Sequence, residues 1–216
     1  MGESELTLIL GNKNHSSWSL RAWLALRATG APFREVKILL DEPDTHECIL
    51  RYSPSGRVPA LIDGKLVLWE SLAICEHLAE RFPSARLWPE EPEAKALARS
   101  VAAEMHAGFA DMRREMSMNL RARIPGRTLS PAARRDVERV CAIWRECRER
   151  FGAGGAMLFG RFTIADCMFA PVASRFVTYA TPLDPVCAAY RDAVLALPAM
   201  DEWRADAETE RELPDH

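Results

Sequence analysis

The residues best suited to chemistry crowd into one stretch, "NHSSWSLRAWLAL", residues 14–26. His15, Ser16, Ser17 and Ser19 stand at the entrance to an apolar run of helical period. The first turn of a helix leaves its leading backbone N–H groups unpaired, and serine is among the residues that cap them. That end also carries the positive pole of the helix, so a hydroxyl there can serve a bound anion as well. Ser16 falls just outside the helix, Ser17 at its edge as cap or second donor, and Ser19 inside the first turn. A Ser–His nucleophile is not expected, because adjacent side chains rarely converge and His15 has no evident acid partner.

Two further groups stand out. Met105, His106, Phe109, Met112 and Arg113 lie three or four apart, roughly one helical face. Such a stripe either packs into a core or lines a pocket, and Arg113 either attracts an acidic ligand or pairs on the surface. "FTIADC" places Thr163 at a helix N-cap and Asp166 at N3, a capping-box variant flanked by Phe162 and Cys167 as a staple. Capping accounts for Asp166 without an acid–base role. Pro171 falls within the same helix and should kink it.

The elements that must position these residues change character along the chain. "LTLIL" (6–10) reads as a buried strand, Ser17 to Thr29 as a helix ended by "TGAP", and "FREVKIL" (33–39) as a strand. Residues 44–51 suit a short helix, 59–63 and 65–69 a hairpin around Gly64, and "ESLAICEHLAERF" a helix. This βαβ-αββα order predicts a four-stranded mixed sheet between helices. "PSARLWPEEP" (83–92) reads as a linker. Beyond it the pattern is all-helical: one long helix from Glu93 to about Arg123, a second from Ser130 to about Phe151, a third from Thr163, and two shorter ones around 185–207. The tail "ETERELPDH" should fray.

The chain has 216 residues, almost half of them apolar, which is enough for a large core. Its net charge of −3 argues against a nucleic-acid binder. No apolar run reaches the roughly 18 residues needed to cross a bilayer. The N-terminus lacks the pattern of an export signal. The six cysteines show no CxxC pair or zinc spacing, so free thiols in a reducing cytoplasm are expected and no metal.

Taken in order, these motifs resemble the glutathione S-transferase superfamily. The likeness rests on "SSWSLR" at the first helix, Val58-Pro59 in "GRVPAL", Glu70-Ser71 in "LWESLAICEHL", and "FGRFTIADCMFAP". The serine run is most similar to the zeta pattern Ser-Ser-Cys-Ser-Trp-Arg, with Trp18 in place of the cysteine and Leu20 in place of the tryptophan. "GNKNHSSWSLRAWLAL" and "AEMHAGFADMRREMSMNLR" are similar to a bacterial subgroup of poorly defined substrate.

The resemblance implies a thioredoxin-like α/β domain over residues 1–82 and an all-α domain over 93–216 that carries the electrophile side. It implies a homodimer and glutathione as co-substrate. A thiol of pKa roughly 8.5 must become a thiolate to act, and Ser16, with Ser17 second, would stabilise that thiolate. Val58-Pro59, expected cis, would offer the Val58 backbone to the tripeptide like an added strand. Glu70 and Ser71 would hold the γ-glutamyl end, and Arg57, Lys37 or His46 the glycyl carboxylate. Trp18, Met105, His106, Phe109, Met112 and Arg113 would line the pocket for a small hydrophobic or acidic electrophile. The implied activity is glutathione transfer. Glutathione-dependent cis–trans isomerisation of the maleylacetoacetate type, or a non-catalytic binding or stress module, are the alternatives.

Overall fold

The computed structural model describes residues 5–210. The first half builds a four-stranded sheet in the order β2-β1-β3-β4. Its strands are β1 (Leu6–Leu10), β2 (Phe33–Lys37), β3 (Ala60–Asp63) and β4 (Leu66–Trp69). β1 pairs parallel with β2 in the register Leu6↔Phe33 to Leu10↔Lys37, and antiparallel with β3. β1 is buried at every position because it is a central strand covered on both faces. Helices α1 (Ser17–Thr29) and α3 (Ser71–Arg81) pack together, and α2 (Thr45–Leu50) brings Ile49 to a separate small cluster with Ile9, Ile38 and Ala60. Gly30 ends α1 in the left-handed region at φ 72°, its N–H returning to the Arg27 carbonyl at 3.1 Å.

The second half is helical: α4 (Pro92–Ala107), α5 (Ala110–Glu115), α6 (Pro131–Phe151), α7 (Ile164–Thr178), α8 (Pro185–Leu195) and α9 (Pro198–Glu208). α7 runs through the centre, almost wholly buried, and packs on α1, α4 and α8. Its expected capping box is present. Asp166 accepts from the Thr163 N–H (2.8 Å), the Leu158 N–H (3.1 Å) and the hydroxyls of Thr163 (3.0 Å) and Tyr190 (3.0 Å). Burial pushes its carboxyl up to about 6, so at neutral pH these donors hold an anion.

Two expectations change. The long helix from Glu93 to about Arg123 is two helices with a break at Gly108–Phe109, and the chain leaves helix again after Glu115. Phe109 sits in the left-handed region at φ 62°. The break is stabilised from elsewhere: Asp136 of α6 accepts the Met112 N–H at 3.0 Å, and Arg113 donates to the Gly108 carbonyl at 3.0 Å and to that of Met105. The tail also departs from fraying where it is described. Glu210 is buried and hydrogen-bonded, while residues 211–216 lie outside the described residues.

Candidate active site

The loop before α1 is fixed before any hydroxyl is placed. The Asn12 carbonyl takes the N–H groups of His15 (3.2 Å) and Ser16 (2.8 Å). The Asn14 side-chain oxygen accepts from the Leu120 (2.8 Å) and Arg121 (3.2 Å) N–H groups, tying the loop to the helical domain. Ser16 is then the N-cap of α1, which corrects the assignment of the cap to Ser17. Its Oγ accepts from the Ser19 N–H at 3.3 Å and donates to Ser19 Oγ at 2.7 Å. Ser19 Oγ in turn takes the Gly11 N–H at 3.0 Å. Ser17 makes no side-chain hydrogen bond among the described residues, and both Ser16 and Ser17 line an open cavity of about 970 Å³.

Val58 lines the same cavity. The Val58–Pro59 bond is cis, and neither the N–H nor the C=O of Val58 has a partner among the described residues. The start of α3 is also open. Its N-cap is Glu70, held at φ 69°, and among the described residues no side chain caps the helix. Ser71 therefore does not cap its own helix; its Oγ is buried with no partner among the described residues. Left-handed backbone at a non-glycine residue costs about 1–3 kcal/mol and persists where the surroundings enforce it. Arg57 is exposed and makes no ion pair among the described residues. Lys37 pairs instead with Glu210 at 3.2 Å, and His46 is exposed, its ring against Gly56.

The methionine stripe faces the other way from the pocket reading. Met105, Phe109 and Met112 are buried in the main core and do not line the cavity. The helix break turns them inward, where the core offers apolar neighbours on every side. His106 stays at the margin, 3.5 Å from Glu70 and edge-on to Trp18 at 5.3 Å. Burial lowers its pKa, against the Glu70 carboxylate, which raises it, so it is neutral at pH 7.

Trp18 and Arg113 do reach the cavity, and they bring company that sequence reasoning missed. Two guanidiniums lie over the Trp18 ring, Arg21 at 4.4 Å and Arg113 at 4.6 Å from its centroid. Arg175 of α7 lines the cavity too, donating to the Met116 carbonyl at 2.7 Å. Arg21 is fully buried, and among the described residues none of its three side-chain nitrogens has a partner; Arg113 and Arg175 each leave Nη1 unpartnered there too. Burial lowers all three pKa values, that of Arg113 to about 10 and that of Arg175 to about 9. The signal was a lone arginine inside apolar helix, in "SLRAWLAL" and "PVASRFV". A second hollow of about 720 Å³, walled by the Thr29–Arg34 turn and Arg81–Phe82, contains none of these groups.

The glutathione S-transferase N-terminal domain model matches residues 15–81, and the C-terminal domain model matches residues 127–206. The chain belongs to the glutathione S-transferase superfamily. Within it, the chain resembles the zeta class. It is 37% identical over 108 residues to a probable maleylacetoacetate isomerase of Vibrio cholerae, 47% of this chain and 50% of that one. It is 29% identical over 147 residues to glutathione S-transferase GstB of Escherichia coli, 67% of each chain. The chain spans about half the length of the isomerase relatives it matches. A glutathione transferase homolog from Burkholderia, solved with bound glutathione, has the same fold, with a TM-score of 0.72 at 24% identity over 95% of this chain and 100% of that one. Among the described residues of this superfamily member, no helix is long and apolar enough to cross a membrane.

Proposed function

We propose that the protein is a cytoplasmic glutathione transferase that adds the glutathione thiolate to a small, carboxylate-bearing electrophile, and that it works as a homodimer. The observation that carries this reading is one cavity lined by the α1 N-cap Ser16, by Val58, whose backbone is unpaired among the described residues, and by Trp18, Arg113 and Arg175. The cysteinyl backbone of glutathione pairs with Val58. The uncapped start of α3, with the orphaned Ser71 hydroxyl, receives the γ-glutamyl carboxylate, and Glu70 takes the amine. Arg57, exposed and without an ion pair among the described residues, is the cation for the glycyl end.

Ser16 then serves the sulfur. Its proton now points to Ser19. A hydroxyl can rotate between donor and acceptor roles. When Ser19 reverses and donates to Ser16, the Ser16 proton is released toward the sulfur, and Gly11 still holds Ser19. A charge-assisted hydrogen bond is worth about 1.5–3 kcal/mol and one pKa unit is about 1.36 kcal/mol, so the thiol pKa falls by roughly one to two units. The serine stays protonated and is not the nucleophile. Arg113 and Arg175 place the acceptor's carboxylate and hold the charge that develops as sulfur adds.

A second reading has support of its own: the likeness to relatives named probable maleylacetoacetate isomerase, together with arginines suited to a diacid. There the thiolate adds to a cis double bond, the new single bond rotates, and the thiolate leaves. Calorimetry and thiolate ultraviolet absorbance test the common step. Saturable glutathione binding is expected, weakened by Ser71→Ala, and Ser16→Ala should raise the bound thiol pKa by about one unit or more. No binding by the wild type refutes both readings. An unchanged pKa in Ser16→Ala alongside a raised one in Ser17→Ala moves the role to Ser17. Turnover of a maleyl acid without a stable conjugate selects the isomerase, and binding without turnover of any electrophile selects a non-catalytic module.

A further inference from the structure

The carboxylate of Glu210 grips the loop that places Ser16. Oε1 accepts the Lys13 N–H at 2.8 Å, and Oε2 accepts the Asn14 N–H at 3.0 Å. Both oxygens are thus spent on successive backbone amides, and the side chain is only 2% exposed. Lys37 of β2 balances the charge at 3.2 Å. The backbone carbonyl of Glu210 accepts from Arg121, which lines the cavity, at 3.0 Å. Nearby Trp203 of α9 donates to the Lys13 carbonyl at 2.8 Å. Lys13 and Asn14 are the two residues between the Asn12 carbonyl and the His15–Ser16 amides that it receives. A change in their backbone therefore shifts the N-cap oxygen directly.

We propose that Glu210 is a positioning residue for thiolate stabilisation: from just past α9 its carboxylate clasps the loop and holds Ser16 at the productive place for the sulfur. This rests on the reading given under Proposed function. The clasp touches neither Val58 nor the start of α3, so it acts on the reacting end of glutathione and leaves the grip on the peptide alone. A misplacement of a few tenths of an ångström to 1 Å in a catalytic donor is enough to cost up to about a hundredfold in rate.

The test is Glu210→Gln, nearly the same shape but with only one acceptor oxygen for two amides. Expected are a kcat lowered by about tenfold or more, a KM for glutathione within about twofold of wild type, and a bound thiol pKa raised toward that of free glutathione. Amide exchange at Lys13 and Asn14 should quicken. Asp206→Asn is the control: Asp206 meets the Lys13 ammonium at 2.6 Å and no loop amide, so it should lower stability without moving the thiol pKa. An unchanged thiol pKa and kcat in folded Glu210→Gln, or an equal shift in Asp206→Asn, overturns the proposal. If Glu210→Gln does not fold, Glu210→Asp, which keeps the charge but shortens the reach, gives the same reading. Absence of glutathione binding by the wild type overturns the functional reading together with this one. Normal wild-type binding with an inert Glu210→Gln overturns this inference alone.

Discussion

Arg21 is the residue whose burial is hardest to justify by stability. Its guanidinium is fully buried, has no hydrogen-bond partner among the described residues, and has Arg113 and Arg175 near enough to lower its pKa further. Cation–π contact with Trp18 at 4.4 Å returns only about 1–2 kcal/mol, less than the several kcal/mol that desolvating an ion costs. Like charges gathered around unpaired donors make sense when an anion completes them. Arg21→Met, of similar length and apolar, should therefore raise the stability of the ligand-free protein by roughly 1–3 kcal/mol in urea unfolding. The same variant should lose turnover selectively with carboxylate-bearing electrophiles while neutral acceptors are little affected. Destabilisation by Arg21→Met would show that the guanidinium is satisfied within the fold and that its burial does not await an anion. Stabilisation with unchanged acceptor preference would leave the arginines structural.

At the scale of elements, the break between α4 and α5 is what sorts core from site. It sends Met105, Phe109 and Met112 inward while leaving His106 and Arg113 beside Trp18. Asp136 caps α5 from a different helix, so Asp136→Ala should cost about 1–2 kcal/mol in unfolding, and Asp136→Asn much less, since asparagine also caps well. Gly108→Ala should add to the loss, because a Cβ there would meet the Glu104 carbonyl oxygen at 2.9 Å. If Asp136→Ala leaves both stability and Arg113-dependent acceptor preference untouched, the break is held by packing alone. The same element shows what a sequence can disclose. The cap at Thr163, the helix start at Ser130 and the glycine stop after α1 were readable because each is made by residues within a turn of one another. The interruption of the long helix was not, since its partners come from α6 and from a side chain reaching back. Periodicity placed five residues on one face but could not say that the face would divide. The Asn12–Asn14 loop was still less legible: the Lys13 amide meets its partner 197 positions away.

The described residues share one main core, although the sequence divides into an α/β half and a helical half. Leu8, Leu20 and Trp23 from the first belong to the same buried cluster as Met105, Cys167, Phe169 and Trp203 from the second. Trp23 and Trp203 meet edge-to-face at 5.2 Å, with the Lys13 ammonium 5.1 Å from the first ring and 5.0 Å from the second. Asn14 and Glu210 stitch the loop before α1 to the far half with four further hydrogen bonds from backbone amides. An interface that is apolar and continuous with the core should not let its halves unfold separately. Calorimetry of the full chain should accordingly give one transition, with calorimetric and van't Hoff enthalpies equal, provided unfolding is reversible. Trp203→Ala should lower stability by about 3–5 kcal/mol and keep the transition single. A fragment of residues 1–82 should lack a fixed near-ultraviolet signal, because the α1 face that α7 and α9 cover would lie open to water. Two separable transitions in the full chain, or a folded 1–82 fragment, would mean that the first half carries its own stability. The loop before Ser16 would then need no help from the second half, and the placement of the active hydroxyl would be local to α1.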